Sequence, residues 1–218
     1  MAMRASPIFK YINTSCIYIG SSTFTRVNDI FVGANLIESI TNHSETSYFL
    51  KDAIKSREVL NVMEKINKYE IYIFCFGFGD SLFKLNHKVF PRKLRYLMHG
   101  KYRNLLKIVL LCFFIYRPST SLRSFKNDTK KILNLIPLTA SVILIINLPN
   151  NVSWLRNKHR KIYTYQLKNA ITKRGFNYSK ILDVGNFDES YRGFDSHHLN
   201  SKGAELLGKK IKAALDKN

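Results

Sequence analysis

A chain of 218 residues, of which 45% are hydrophobic, is long enough to bury a substantial core as one domain. Its formal net charge of +20 favours anionic partners, namely an acidic glycan, an anionic membrane surface or nucleic acid. The most apolar stretch, 105–116, is too short to cross a bilayer, and the first residues lack the apolar core of a signal peptide. We therefore expect a cytoplasmic protein without a transmembrane segment, which can lie peripherally at the inner membrane face. Its three cysteines show no metal-ligand spacing, which favours buried thiols over a metal site.

Short apolar runs alternate with stretches that have helical spacing along the chain. The runs predicted as strands are 16–19, 29–32, 71–76, 141–148 and 180–184. The stretches predicted as helices are 34–40, 56–69, 124–136, 161–173 and a last helix that begins after the N-cap Asn200. Strands that alternate with helices predict a three-layer α/β/α sandwich around a mostly parallel sheet. In such sheets a ligand binds beyond the carboxyl ends of the strands.

The segment from Lys84 to Lys130 concentrates the positive charge, with twelve Lys or Arg residues against one acid, Asp128. We predict a basic insertion over about 84–130, helical in part, within a single domain that spans 1–218. Such a segment suits an anionic partner, and a solvated face of a lysine-rich protein is the alternative. The segment lacks the regular aromatic spacing of a platform for single-stranded nucleic acid, so nucleic acid is the less favoured partner.

Residues able to carry chemistry stand after the first predicted strand and before the last predicted helix. Ser21 and Ser22 follow a glycine there, and Asp195 and His198 precede the helix with the spacing Asp-x-x-His. Serine is a weak nucleophile that needs an adjacent base. His198 can be that base, while Asp195 orients the imidazole and stabilises its charged form.

Four blocks of residues extend this pattern along nearly the whole chain: Gly20-Ser21-Ser22, Gly33, Gly77-Phe78-Gly79-Asp80 and Asp195-Ser196-His197-His198. In these blocks the chain resembles the SGNH (GDSL-type) hydrolase superfamily, and the last block is the specific one. The resemblance implies a flavodoxin-like fold and Ser22, Asp195 and His198 as the catalytic residues. It further implies an oxyanion hole at Ser22, Gly33 and Gly79. The substrate-binding residues would be Ser21, Asp80 and His197, with no metal and no bound cofactor.

Two residues depart from the pattern of that family. Ser21 replaces the acid before the serine, and Gly79 replaces an asparagine whose side chain donates to the oxyanion. Loss of one such donor costs about 3 kcal/mol in comparable sites. An alternative nucleophile also exists, because Gly79-Asp80-Ser81-Leu82 spells the literal signature of the family.

The resemblance implies a serine ester hydrolase or O-acyltransferase that works through an acyl-enzyme. Its substrate would be an acylated carbohydrate or lipid, including an anionic glycan, and an acyl donor such as acetyl-CoA would be a substrate. One alternative is a catalytically inactive domain of the same fold that binds an anionic partner. A further alternative is a nucleic-acid-binding protein with an unrelated α/β fold.

Overall fold

The computed structural model describes residues 8–10, 16–20, 26–27, 30–31, 47–51, 53–66, 68–85, 105–106, 109, 116–146, 154–192 and 199–216. Six of the strands form a central sheet: β1 (Ile8–Lys10), β2 (Cys16–Gly20), β5 (Ser47–Leu50), β6 (Ile71–Cys75), β9 (Ser141–Ile146) and β10 (Tyr178–Asp183). Their order is β1-β5-β2-β6-β9-β10. The five strands from β5 to β10 are parallel, and β1 pairs antiparallel with β5 at the edge. The predicted α/β class with a mostly parallel sheet is confirmed.

The second parallel strand is not the one that the sequence suggested. Ile30–Phe31 forms β4, which pairs with β3 (Arg26–Val27) in a separate two-stranded sheet. The strand that follows β2 in the central sheet and pairs with it in parallel is β5, which was not predicted. The expectation that 29–32 belongs to the central sheet is therefore wrong. The loop beyond the second parallel strand begins at Lys51, and not at Gly33.

A second antiparallel ribbon encloses most of the basic segment. Strand β7 (Phe83–Leu85) pairs with β8 (Tyr116–Pro118), so that Leu85 lies opposite Tyr116. The two ends of segment 86–115 therefore lie next to each other in this ribbon. The far end of the basic segment lies in the helix Leu122–Leu135, which packs against the central sheet.

Within the described residues, five α-helices have defined bounds: α1 (Ser56–Met63), α2 (Phe78–Ser81), α3 (Leu122–Leu135), α4 (Trp154–Arg174) and α5 (Ser201–Leu215). Four of them correspond to predicted helices, although α1 ends earlier and α4 begins earlier than predicted. Gly175, with φ of +72°, follows α4 in the left-handed conformation that commonly ends a helix. The predicted helix at 34–40 lies outside the described residues.

The helices cover both faces of the sheet. One face packs against α1, α3 and α4, and the opposite face packs against α5. Along β2, β6 and β9 successive side chains enter alternate cores, which is why these strands are apolar at nearly every position. Ile17 and Ile19 contribute to the first core, while Tyr18 and Cys16 contribute to the second. This three-layer packing fixes the carboxyl edge of the sheet, where the candidate site lies.

Candidate active site

The strands β2 and β6 end side by side at the carboxyl edge, with Gly20 opposite Cys75. The predicted nucleophile Ser22 and its neighbour Ser21 come directly after this point, but they lie outside the described residues. The same is true of Gly33 and of the block Asp195–His198, which includes His197. The structure therefore describes the strand and helix ends to which these residues are attached, together with Gly79, Asp80 and Ser81.

Glycine is needed at the end of β2 because Tyr18 folds over it. A Cβ atom at Gly20 would lie 2.7 Å from Tyr18 Cε1 and 2.9 Å from its hydroxyl. Burial raises the pKa of Tyr18 well above its usual range, and a hydrogen bond with Cys75 raises it further. The Tyr18 phenol therefore stays neutral beside the end of β2.

Gly77 starts the sharp turn that leads from β6 into the short helix α2. It is the N-cap of that helix and has φ of +96°, a conformation that favours glycine. The turn brings Gly79, Asp80 and Ser81 into the interior, where all three are buried.

The space opposite Gly79 is filled by backbone carbonyl groups. A Cβ atom at this position would lie 1.9 Å from Ala53 O and 2.6 Å from Ile54 O. Ala53 itself has φ of +48°, which is unusual for a residue with a side chain. No asparagine fits at position 79 unless the 53–54 loop moves. Glycine at this position is thus a packing requirement, and the neighbouring groups accept hydrogen bonds instead of donating them.

Asp80 holds the same two loops together. Its carboxylate accepts hydrogen bonds from Ser56 N at 2.8 Å and Ser56 Oγ at 2.9 Å, and Thr120 donates to it as well. Because Ser56 is the first residue of α1, the carboxylate caps that helix. Burial raises the pKa of Asp80, while these hydrogen bonds lower it in part. These contacts give Asp80 a loop-positioning role and leave its side chain no exposed surface for a substrate.

Ser81, the alternative nucleophile, is 1% exposed. Its hydroxyl donates a hydrogen bond of 2.8 Å to Phe78 O within α2. A nucleophile must be accessible to its substrate, and Ser81 is not accessible in this arrangement.

The chain before α3 fastens the α2 turn from its other side. Ser119 Oγ donates to Gly79 O at 2.9 Å, and Thr120 N donates to Asp80 O at 3.3 Å. Tyr163 of α4 donates its hydroxyl to Thr120 O. The turn beyond β6 is therefore held by α1 on one side and by α3 and α4 on the other.

Residues 193–198 connect two anchors that the structure describes. Arg192 and Leu199 form an antiparallel bridge. Asn200 caps α5 by accepting from Gly203 N at 2.9 Å, and its amide donates to Ser190 O at 2.7 Å and to Arg192 O at 3.1 Å. The predicted N-cap is confirmed, whereas the bond of Asn200 to the preceding loop was not predicted.

Gly203 allows this close approach of helix and loop. A Cβ atom there would lie 2.2 Å from Tyr191 O. No signal in the sequence pointed to this role, because glycine is simply a weak helix former by propensity. The start of α5 is thus fixed against the chain that leads into the Asp-x-x-His block.

A small pocket of about 10 Å³, enough for about one water molecule, lies beside the carboxyl ends of β6 and β9. Its lining is mostly apolar: Phe76, Phe78, Leu144, Ile145, Ile146, Leu167, Thr164 and Arg160. Burial lowers the pKa of Arg160, and the nearby Asp183 raises it in part, so this side chain remains a cation.

Neither a metal site nor a membrane span is present in the described part of the chain. No group of three or more His, Cys, Asp or Glu side chains there is arranged to hold a metal ion. Among the described helices, none has the length and hydropathy needed to cross a membrane. Cys16 and Cys75 are buried thiols outside any disulfide, as predicted, and burial raises the pKa of Cys16 to about 12. Cys112 lies outside the described residues.

No protein-family profile matches this chain, and no curated protein matches it by sequence. Solved structures do match its fold. LAE5, an α/β hydrolase from the Lake Arreo metagenome, is 10% identical with a TM-score of 0.56, and the match covers 94% of this chain and 96% of that one. The C-terminal catalytic domain of the peptidoglycan O-acetyltransferase OatA from Streptococcus pneumoniae is 13% identical with a TM-score of 0.56, covering 95% of each chain.

A third similar structure is a catalytic mutant of Axe2, an acetylxylan esterase from Geobacillus stearothermophilus. It is 10% identical with a TM-score of 0.55, and the match covers 94% of both chains. At such low identity the likeness concerns the fold alone, and it extends over nearly the full length of each protein. The chain therefore has the α/β fold of these hydrolases and of the O-acetyltransferase domain.

Proposed function

We propose that this protein is a serine-type ester hydrolase or O-acyltransferase of the SGNH kind. In this proposal Ser22 is the nucleophile, His198 is the general base and Asp195 orients the histidine. The proposal rests on one observation above all: both candidate segments are attached to described anchors, one at the end of β2 and one at the start of α5.

Chain connectivity limits where the two segments can lie. Ser22 is two residues beyond Gly20 at the end of β2, and thus within about 7 Å of it. His198 immediately precedes Leu199, which is buried in the core that α5 shares with β2, β6 and β9. Ser22 is therefore tied to the sheet, and His198 is tied to the helical layer that packs directly on it. These attachments support the proposal that Ser22 and His198 lie close together.

The reaction would proceed in two steps. Ser22 Oγ attacks the ester carbonyl carbon while His198 accepts the hydroxyl proton, and the tetrahedral adduct collapses to an acyl-enzyme. His198 returns the proton to the departing alcohol. Water, or a sugar hydroxyl in the transferase case, then attacks the acyl-enzyme with His198 again as the base, which regenerates Ser22.

The oxyanion hole would rely on backbone N–H groups. Ser22 and Gly33 remain the proposed donors, and Gly79 can contribute only through its backbone because no side chain fits there. The absence of a side-chain donor predicts slow turnover, by a factor of about 100 to 1,000 relative to a site with three donors.

The proposed substrate is an acylated carbohydrate or lipid, with Ser21 and His197 facing it. Positive charge supports an anionic substrate, since the chain carries a net +20. The fold likeness to an acetylxylan esterase and to a peptidoglycan O-acetyltransferase domain supports an acetylated glycan.

Labelling with a fluorophosphonate probe tests the assignment. We expect the wild type to be labelled, Ser22→Ala to lose the label and Ser81→Ala to keep it. Ser81→Ala is the matched control because it removes a serine hydroxyl from the neighbouring loop. Labelling of Ser22→Ala as strong as that of the wild type would refute the assignment of the nucleophile.

A second candidate function is favoured by the packing around Gly79. The carbonyl groups of Ala53 and Ile54 fill the place where a donor is expected, which suits a catalytically inactive domain that binds an anionic partner. A wild-type protein that takes no label but binds an acidic glycan, with affinity that falls as salt rises, would support this candidate over the enzyme.

A further inference from the structure

Helices α3 and α4 lie side by side on one face of the sheet. The ring centroid of Phe125, in the first turn of α3, lies 4.9 Å from that of Tyr163 in the middle of α4, and near the ends of both helices Arg174 Nε donates to Leu133 O at 3.3 Å. The two helices therefore run in the same direction. Because their inner sides share one core, their outer sides form one continuous outward surface.

This outward surface carries charge of one sign. Its exposed basic residues are Arg123, Lys126, Lys130 and Lys131 on α3, and Lys158, Lys161 and Lys173 on α4. The sequence of α4 contains no acid, and the single acid of α3 is Asp128. The Asp128 side chain is 2% exposed and lies 2.9 Å from Arg57, so it does not offset the exposed lysines.

Two apolar side chains lie among these lysines. Ile162 is 37% exposed and Tyr165 is 60% exposed, and they stand three residues apart on the outer side of α4 beside Lys158 and Lys161. In a bilayer interface the isoleucine and the tyrosine ring enter the headgroup boundary while lysine stems extend to the phosphates. Phosphate contacts to nucleic acid need the lysines but give an exposed isoleucine no role.

We propose that the outer surface of α3 and α4 binds an anionic phospholipid membrane, with α4 lying along the headgroup layer. The binding is reversible, because its apolar contribution comes from two side chains that are already partly buried. It depends on the charge of the lipid and on the salt concentration. It does not depend on catalysis by Ser22, so either function proposed above can operate at the membrane.

Sedimentation of the full chain with lipid vesicles tests this proposal. The wild type is expected to bind vesicles that contain phosphatidylglycerol and not vesicles of phosphatidylcholine alone. Removal of one Lys near an anionic surface lowers the partition coefficient by roughly fivefold, so Lys158→Gln with Lys161→Gln should lower it about 25-fold. Ile162→Ser with Tyr165→Ser should lower it about tenfold and leave the salt dependence in place.

A matched control removes the same charge from the opposite face. Lys202 and Lys212 are exposed on α5, and their double change to Gln should lower binding less than about threefold. Circular dichroism confirms that each variant is folded. Equal binding to both vesicle types, an equal effect of the control pair, or wild-type binding by the α4 variants would overturn the proposal. Binding to RNA without binding to vesicles would overturn it in favour of a nucleic-acid surface.

Discussion

Substitution of Gly79 by alanine is the perturbation that tests the described part of the site most sharply. An alanine Cβ would lie 1.9 Å from Ala53 O, about 1.5 Å closer than ordinary van der Waals contact. Backbone lies on both sides of this contact, so the 53–54 loop must move as a unit. That movement pulls Ser56 away from Asp80, whose carboxylate is fully buried.

The expected cost follows from these two effects. Overpacking costs about 1–3 kcal/mol, and a weakened hydrogen bond to a buried charge adds about 1.5 kcal/mol. We therefore expect Gly79→Ala to lower the free energy of unfolding by about 3 kcal/mol. In urea titrations this corresponds to a midpoint about 1 M lower, for an m-value of about 3 kcal/mol/M.

Gly175→Ala is the matched control. Gly175 has φ of +72°, but no atom lies within 4 Å of the place that a Cβ would occupy, so alanine there meets backbone strain without a clash. We expect Gly175→Ala to lower the free energy of unfolding by about 1 kcal/mol. If Gly79→Ala lowered the free energy of unfolding no more than Gly175→Ala does, the packing explanation for glycine at position 79 would be refuted.

Three further changes probe the supports of the site by urea unfolding. Burial raises the pKa of Asp80 above its ordinary value of 3.8. Ionisation of this carboxyl group therefore lowers the free energy of unfolding as the pH rises from 3.8 through the raised pKa. The stability advantage of the wild type over Asp80→Asn should thus shrink as pH rises through that window, and a growing advantage would contradict this. Alanine normally stabilises a helix by about 1 kcal/mol relative to glycine. Gly203→Ala should instead lower the free energy of unfolding by about 2 kcal/mol, because the new Cβ atom clashes with Tyr191 O. Any increase in stability would contradict the close contact. Arg57→Ala should lower the free energy of unfolding by about 2 kcal/mol, because the buried Asp128 then lacks its partner. Arg57→Lys should restore part of this stability. A decrease of less than about 0.5 kcal/mol in Arg57→Ala would disprove the role of the ion pair.

The sequence predicted best those elements whose pattern is set by burial alone. Strands β2, β6 and β9 are apolar at nearly every position because both of their faces are covered. Strand β5 was missed because Ser47–Leu50 is short and mixes a serine with aromatic residues. Its membership in the sheet comes from pairing with β2, which a local pattern does not contain.

The described residues that support the candidate site show the same limit of local sequence patterns. The N-cap Asn200 follows from side-chain chemistry and is confirmed. Gly79 and Gly203 are glycines because distant backbone carbonyl groups approach them, and only the folded chain brings those groups together. The sequence therefore indicated an absent donor at Gly79, while the physical reason for the absence lies in tertiary packing.

Formation of a covalent acyl-enzyme on Ser22 is the step on which the proposed function depends. Peptide mass spectrometry after brief reaction with an activated acetyl ester, followed by acid quenching, measures this directly. We predict one acetyl group on the hydroxyl of Ser22 in the wild type and none there in His198→Ala. Acetylation of Ser81, or an unmodified Ser22 while the ester is still hydrolysed, would show that Ser22 is not the nucleophile.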